Sequence, residues 1–313
     1  MDPSAVAGLD IVELRKALLE ASDRNFEIFS LEGPEVHAIR DHQVPVEGGE
    51  ILVRTYHPTA DASVLPGHVY VHGGGWSIGT VEEKFIDASA RFRAAGSNCV
   101  VAAVEYRLAP EHPFPVPVHD VVAAIRWVRD NAAELGIDAG VLTVGGASAG
   151  ANLACAAVLA AGDLGLTALV LEVPALDMSG ESAKKGIENG AFEVSVEPLL
   201  RGTLMQLDLL RAGYLPDPAQ YRSPLASPIY AEDLSGFPET HILTAEIDVL
   251  RPEGERFAEL LEKAGVTVSV TRYPGALHMS SMLTKTWPTA KRWQDDCLAI
   301  LNDVHAPARS ADA

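Results

Sequence analysis

A chain of 313 residues with 48% hydrophobic and 21% charged side chains has the apolar content for one large α/β domain or two modest ones. Its 24 Lys and Arg against 43 Asp and Glu leave a net charge of −19, which repels phosphate backbones and anionic lipid and so excludes nucleic acid and membrane surfaces as partners. Cys99, Cys155 and Cys297 are too few and too scattered for a disulfide framework or a Cys-x-x-Cys metal site, and read as reduced small hydrophobes. The acidic start, Met1-Asp2-Pro3-Ser4, lacks the basic stretch and apolar run of a signal peptide, and no apolar run is long enough to cross a bilayer; the expectation is a cytoplasmic protein.

In chain order, an amphipathic helix over 9–24 precedes any strand. Strand-like runs rich in β-branched residues follow at 36–46, 51–56, 68–72, 99–106, 141–145, 168–173, 240–245 and 266–273. Helical patterns lie between them at 83–95, 118–135, 149–161 and 253–264, and a last helix covers 289–304. The alternation predicts a mostly parallel eight-stranded sheet flanked by helices. Glu47-Gly48-Gly49-Glu50 reads as a hairpin turn that makes the start of the sheet antiparallel. The segment from Asp177 to about Arg222 breaks the alternation with a Gly/Ser/charged stretch and a Leu-rich helix, 196–214. With the N-terminal helix it reads as a lid, giving a cap segment 1–35, a core 36–177, a cap insertion 178–222 and a second core segment 223–313, with a frayed tail from Ala306 to Ala313.

Gly146-Ala147-Ser148-Ala149-Gly150 is a G-x-S-x-G directly after one strand and directly before a helix, the context in which a strained turn exposes a nucleophilic serine. It also fits a small-residue turn closing a tightly packed strand and helix. Gly73-Gly74-Gly75-Trp76, after the strand 68–72, lets backbone N–H groups approach a ligand and stabilise an oxyanion, typically by about 3–4 kcal/mol per donor. The same loop loosely fits a nucleotide site with Glu105 as ribose acid, but no tyrosine is followed four residues later by lysine and no phosphate loop occurs. A serine nucleophile needs a base and an orienting acid, expected later in the chain in the order acid, then histidine. Beyond Ser148 only His241, His278 and His305 compete. His241 sits near the start of its strand and His305 in the terminal tail, whereas His278 follows a late strand through Pro274-Gly275-Ala276. Asp248 follows the preceding strand, with Glu246 and Asp177 as weaker rivals, and His72 reads as a pin for the glycine loop.

From about residue 35 to 300 the chain resembles the hormone-sensitive-lipase-like esterases of the α/β-hydrolase fold, most of all bacterial carboxylesterases of the heroin-esterase type. The residues that carry the resemblance are His72-Gly73-Gly74-Gly75-Trp76, the segment Val104 to Pro115 containing Tyr106-Arg107-Leu108-Ala109-Pro110-Glu111, Gly146 to Leu153, Ala245 to Gly254, and Tyr273 to His278. The resemblance implies Ser148 as nucleophile, His278 as base, Asp248 as its orienting acid, and the N–H groups of Gly74, Gly75 and Ala149 as oxyanion hole. It implies no cofactor and no metal, a bracing role for Tyr106 to Glu111, and a helical cap. Three departures, Ala147 for Asp or Thr, Ala151 for Gly, and Met279-Ser280 for Gly-Phe, bear on pocket shape. Candidate pocket residues are Trp76, Ala147, Leu204 and Met279, with Leu199, Leu200, Met205 and Leu207 lining the pocket or forming cap core. The expected activity is hydrolysis of short-chain, small-molecule esters. The alternatives are a non-catalytic receptor, or an amidase or acyltransferase using the same triad. The late strand 266–273 is either a pairing edge for a homodimer or a covered one.

Overall fold

The computed structural model describes residues 10–60 and 63–306; the expected tail lies outside these from 307 on, as do the first residues of the chain. Eight strands form one sheet: β1 (Ala38–Val46), β2 (Gly49–His57), β3 (Leu65–Val71), β4 (Val100–Glu105), β5 (Ile137–Ala147), β6 (Ala168–Glu172), β7 (Glu239–Ile247) and β8 (Val268–Leu277), in the order β1-β2-β4-β3-β5-β6-β7-β8. β1 and β2 close over Glu47-Gly48, a tighter hairpin than the four-residue link in the sequence, with Val46 opposite Gly49 and Gly48 at φ 79°. β2 is also antiparallel to β4, and every later pairing is parallel.

β3 lies between β4 and β5. The chain leaves β3 toward one edge and returns past it to β5, so the loops after β3 and β5 diverge and open a crevice at the carboxyl ends of the strands, where open α/β sheets bind ligands. Central strands are buried on both faces, with 69–71 and 142–147 buried at every position. On one face pack α3 (Val116–Asp130), α5 (Ala149–Ala161) and α8 (Arg251–Lys263). On the other pack α2 (Lys84–Ser97) and α9 (Pro288–Val304), with α1 (Ile11–Phe29) against α2.

Four local expectations change. The single helix expected over 118–135 is two, α3 and a turn of helix α4 (Ala132–Leu135), because Asn131 turns its amide onto the Trp127 carbonyl at 2.8 Å and breaks the run. The Gly/Ser/charged stretch contains α6 (Glu181–Glu188), whose start is organised by the Asp177 carboxylate accepting from the N–H groups of Ser179 at 3.0 Å and Ser182 at 2.9 Å. α1 runs five residues beyond its expected end. His305 is not in a tail: it caps α9, is buried, and its Nε2 lies 3.0 Å from the Thr143 hydroxyl on β5.

Between β6 and β7, α7 (Glu197–Tyr214) buries Leu200, Leu204, Leu207, Arg211 and Tyr214, a three-to-four-residue spacing that defines its inner face. The three cysteines are free and buried. Among the described residues no helix is long and apolar enough to cross a membrane.

Candidate active site

Ser148 sits where β5 turns into α5, with φ 54° and ψ −114°, a conformation that L side chains rarely adopt. Its surroundings hold it there. The Ser148 N–H donates to the Glu172 carbonyl at 2.8 Å, and its own carbonyl accepts from Asn152 N at 3.1 Å and Ala175 N at 3.3 Å. A Cβ on Gly150 would lie 2.1 Å from the Val71 carbonyl oxygen, and one on Gly146 would lie 2.6 Å from the same atom. Only glycine lets the elbow fold this closely onto β3.

Asp248 directly follows β7, and its Oδ1 accepts from Leu250 N at 3.0 Å. Its Oδ2 lies 2.7 Å from His278 Nδ1, and His278 Nε2 lies 3.1 Å from Ser148 Oγ. Nδ1–H therefore donates to the carboxylate, leaving Nε2 to accept from the serine hydroxyl. Burial pulls the His278 pKa down, while the charge and hydrogen bond of Asp248 push it up by more, so the net shift is upward. The rival acids are engaged elsewhere. Glu246 Oε2 accepts from Gly275 N at 2.7 Å, bracing the turn that leads to His278, and Asp177 is committed to the start of α6.

The glycine loop folds on itself: Gly74 O accepts from Ser77 N at 3.1 Å and Ile78 N at 3.0 Å. A Cβ on Gly74, at φ 122°, would fall 2.0 Å from Ile78 O. The loop borders the nucleophile, since a Cβ on Gly73 would lie 3.6 Å from Ser148 Cβ. Among the described residues the hydrogen bonds of the turn give the N–H groups of Gly74 and Gly75 no acceptor, and Ala149 opens α5, whose first N–H groups have no intrahelical partner. His72 pins the loop, donating from Nδ1 to Gly73 O at 2.7 Å and stacking on Tyr106 at 4.3 Å. Tyr106 in turn donates to His72 O at 3.1 Å. Glu105 accepts from Val81 N at 2.6 Å and from the Thr80 hydroxyl, so its carboxylate braces a turn.

A groove of about 170 Å³ lies beside His278 and Asp248, lined by Leu199, Leu200 and Thr203 of α7 and by Ile247, Val249 and Leu277 from the strand ends. Of the candidate pocket residues, Trp76 lies elsewhere: it is 1% exposed, stacked on Tyr214 at 4.7 Å, and its indole N–H reaches Asn152 at 3.3 Å. Leu204 and Leu207 are buried on the inner face of α7, and Met205 is exposed. Ala147 and Met279 border a separate cavity of about 20 Å³, room for one water, together with the buried Arg93–Glu172 ion pair, whose carboxylate also accepts from Trp293 Nε1 at 2.7 Å. Sequence reasoning missed Thr203, Ile247, Val249 and Leu277, and missed the Glu172 carbonyl that anchors Ser148. Backbone groups leave no residue-type signal, and the groove residues become neighbours only when α7 folds over β7 and β8. Among the described residues no group of three or more His, Cys, Asp or Glu side chains is placed to hold a metal ion.

Comparison with known proteins adds independent lines. A family profile described as alpha/beta hydrolase fold matches residues 68–282. An arylesterase of Saccharolobus solfataricus is 38% identical over 246 residues, 76% of each chain. Carboxylesterase NlhH of Mycobacterium tuberculosis is 37% identical over 284 residues, 88% of this chain and 84% of its own. The solved structure of a hyperthermophilic esterase from the archaeon Pyrobaculum calidifontis superposes with a TM-score of 0.83 at 34% identity, covering 95% of each chain.

Proposed function

The chain belongs to the hormone-sensitive-lipase-like carboxylesterases of the α/β-hydrolase fold, and on that premise we propose that Ser148, His278 and Asp248 carry out its hydrolysis of carboxylic esters. The observation that carries the assignment is the unbroken proton path from Ser148 Oγ to His278 Nε2 and from His278 Nδ1 to Asp248. Ser148 Oγ attacks the ester carbonyl carbon as His278 takes its proton, and the carbonyl π electrons move onto oxygen. Gly74, Gly75 and Ala149 N–H groups receive that oxyanion. As the tetrahedral intermediate collapses, the bond to the alkoxy oxygen breaks and His278 protonates the departing alcohol. Water then gives its proton to His278 and attacks the acyl-enzyme, and the acid leaves as Ser148 regains its proton. Asp248 holds the imidazole tautomer and stabilises its cation throughout.

The described residues 10–35 and 178–222 serve as the cap in this reading, with α7 walling the groove beside His278. The groove beside His278 is walled mainly by apolar side chains, which suits uncharged small-molecule esters, and the family resemblance points to short acyl chains. Free, buried cysteines suit a reducing cytoplasm. β8 is the last strand of the sheet, with Val270 41% exposed, and a homodimer paired along it fits that edge; sedimentation at micromolar concentration showing only monomer would remove that reading.

Replacing Ser148 with Ala should lower kcat on p-nitrophenyl acetate by at least about 10³-fold, and a fluorophosphonate should label the wild-type chain at Ser148 alone. A variant turning over near the wild-type rate refutes the assignment. Because the net shift of His278 is upward, the neutral base is lost as pH falls through a midpoint above the ordinary 6.5, and the acid limb of kcat/KM should lie there. Asp248→Asn should move that limb to lower pH while cutting kcat by about 10⁴-fold. A limb that stays in place in this variant assigns the titration to another group.

A further inference from the structure

Arg15 on α1 touches neither Ser148 nor His278, yet its guanidinium joins the two loops that frame the glycine turn. Its Nε donates to Ser77 O at 2.8 Å, and its Nη2 to Ala109 O at 2.8 Å. Glu111 grips the same guanidinium with both oxygens, at 2.6 and 2.7 Å. Ala109 N meanwhile donates to Trp76 O at 2.9 Å. The result is a closed ring of hydrogen bonds: Trp76 to Ala109, Ala109 to Arg15, Arg15 to Ser77, and Ser77 back along the chain to Trp76.

The far side of this ring is fastened to the core. Arg107, two residues before Ala109, donates from its backbone N–H to Asp120 Oδ2 at 3.0 Å and from its guanidinium to the same carboxylate on α3. Within the glycine loop, the N–H groups of Ser77 and Ile78 both converge on Gly74 O. Trp76 O and Ser77 O are therefore the carbonyls by which the turn is held from outside, the first by Ala109 N and the second by Arg15. We propose that Arg15 is a positioning residue for the oxyanion hole: it fixes the turn Gly74–Ser77 against the segment Ala109–Glu111 so that the Gly74 and Gly75 N–H groups stay aimed beside Ser148.

The assignment rests on the oxyanion-hole reading above and extends it to the N-terminal helix. A misplacement of about 1 Å at a preorganised site costs about 100-fold in rate, so a peripheral clamp on that turn acts on the reacting carbonyl without touching it. Glu111 balances the Arg15 charge, so the contribution is the planar fork that spans two carbonyls rather than a positive field. Lysine carries the charge but presents a single point of attachment.

The experiment measures kcat and KM on p-nitrophenyl acetate, per site counted by stoichiometric reaction with a fluorophosphonate, in the wild type, Arg15→Met, Arg15→Lys and Glu111→Gln. The proposal expects kcat to fall about 10- to 100-fold in both Arg15 variants with KM within about threefold of wild type. Glu111→Gln, which keeps both carbonyl bonds but frees the guanidinium plane, should lose about threefold. Arg15→Ala should regain activity when free guanidinium at about 50 mM is added, a recovery that a general loss of folding does not allow. A kcat per titrated site within twofold of wild type in Arg15→Met, a loss carried by KM, or Arg15→Lys matching wild type overturns the proposal. If Arg15→Met yields no folded chain, an unchanged kcat in Glu111→Gln overturns it instead. Failure of the triad reading is distinct: the wild type itself would then go unlabelled at Ser148.

Discussion

The backbone of Ser148 is held by other backbone groups, whereas α7 meets the groove beside His278 through side chains. Below the nucleophile, the Glu172 carbonyl, the N–H groups of Asn152 and Ala175, and glycines with no room for a methyl group define one arrangement. Above it, α7 leaves Leu199, Met205 and Leu209 more than half exposed, and Leu199, Leu200 and Thr203 wall the groove beside His278. The contrast assigns different tasks to the two regions. Backbone carbonyls and N–H groups cannot be changed by substitution without moving the chain, whereas the side chains of α7 can be exchanged one at a time; in the proposed reading the floor keeps the chemistry and the roof sets what is hydrolysed.

The largest effect that would break this comparison is expected at Gly150. Gly150→Ala places a methyl 2.1 Å from the Val71 carbonyl oxygen, and since both are backbone neither can yield cheaply. It should cost about 3 kcal/mol or more in urea unfolding and at least about 100-fold in kcat/KM. A stable, active variant would show that the floor is less constrained than its spacing indicates. Thr203→Trp should fill the groove. Its kcat/KM for esters of bulky alcohols should drop about tenfold or more, while ethyl acetate stays within about threefold; equal losses on both would mean that α7 supports the floor rather than shaping the roof. The smallest effect is expected at Met279, which follows the base at φ 60°. Met279→Val puts a β-branched side chain in the left-handed region and should cost about 1–2 kcal/mol more than Met279→Gly in urea unfolding. Matching midpoints would show that the backbone after His278 adjusts freely.

The same contrast explains what the sequence revealed. The elbow and the glycine loop were legible because close backbone approach demands glycine at fixed offsets, and the demand is visible in one dimension as Gly146-x-Ser148-x-Gly150 and Gly73-Gly74-Gly75. Strand and helix alternation was legible for a similar reason, since each element's burial imprints its own period. His278 and Asp248 followed from chain order and from their place after late strands. Residues whose environment depends on partners far along the chain were not legible. Trp76 reads as a pocket wall until Tyr214 stacks on it from 138 positions away, and His305 reads as tail until Thr143 meets it. Burial holds His305 at a pKa of about 4, against an ordinary 6.5, a shift with no trace in its sequence neighbours. The break at Asn131 turns on one side-chain hydrogen bond and the start of α6 on one carboxylate, both of which periodicity averages away.

The three cysteines have a practical consequence. Cys99, Cys155 and Cys297 are each no more than 3% exposed, and burial pushes the Cys99 thiol up to about 12, so none presents a thiolate to reagents near neutral pH. A cysteine introduced at Met205 on the outer side of α7 would be the one fast-reacting thiol in the folded chain. A fluorophore attached there would report motion of the roof during turnover in an otherwise native background.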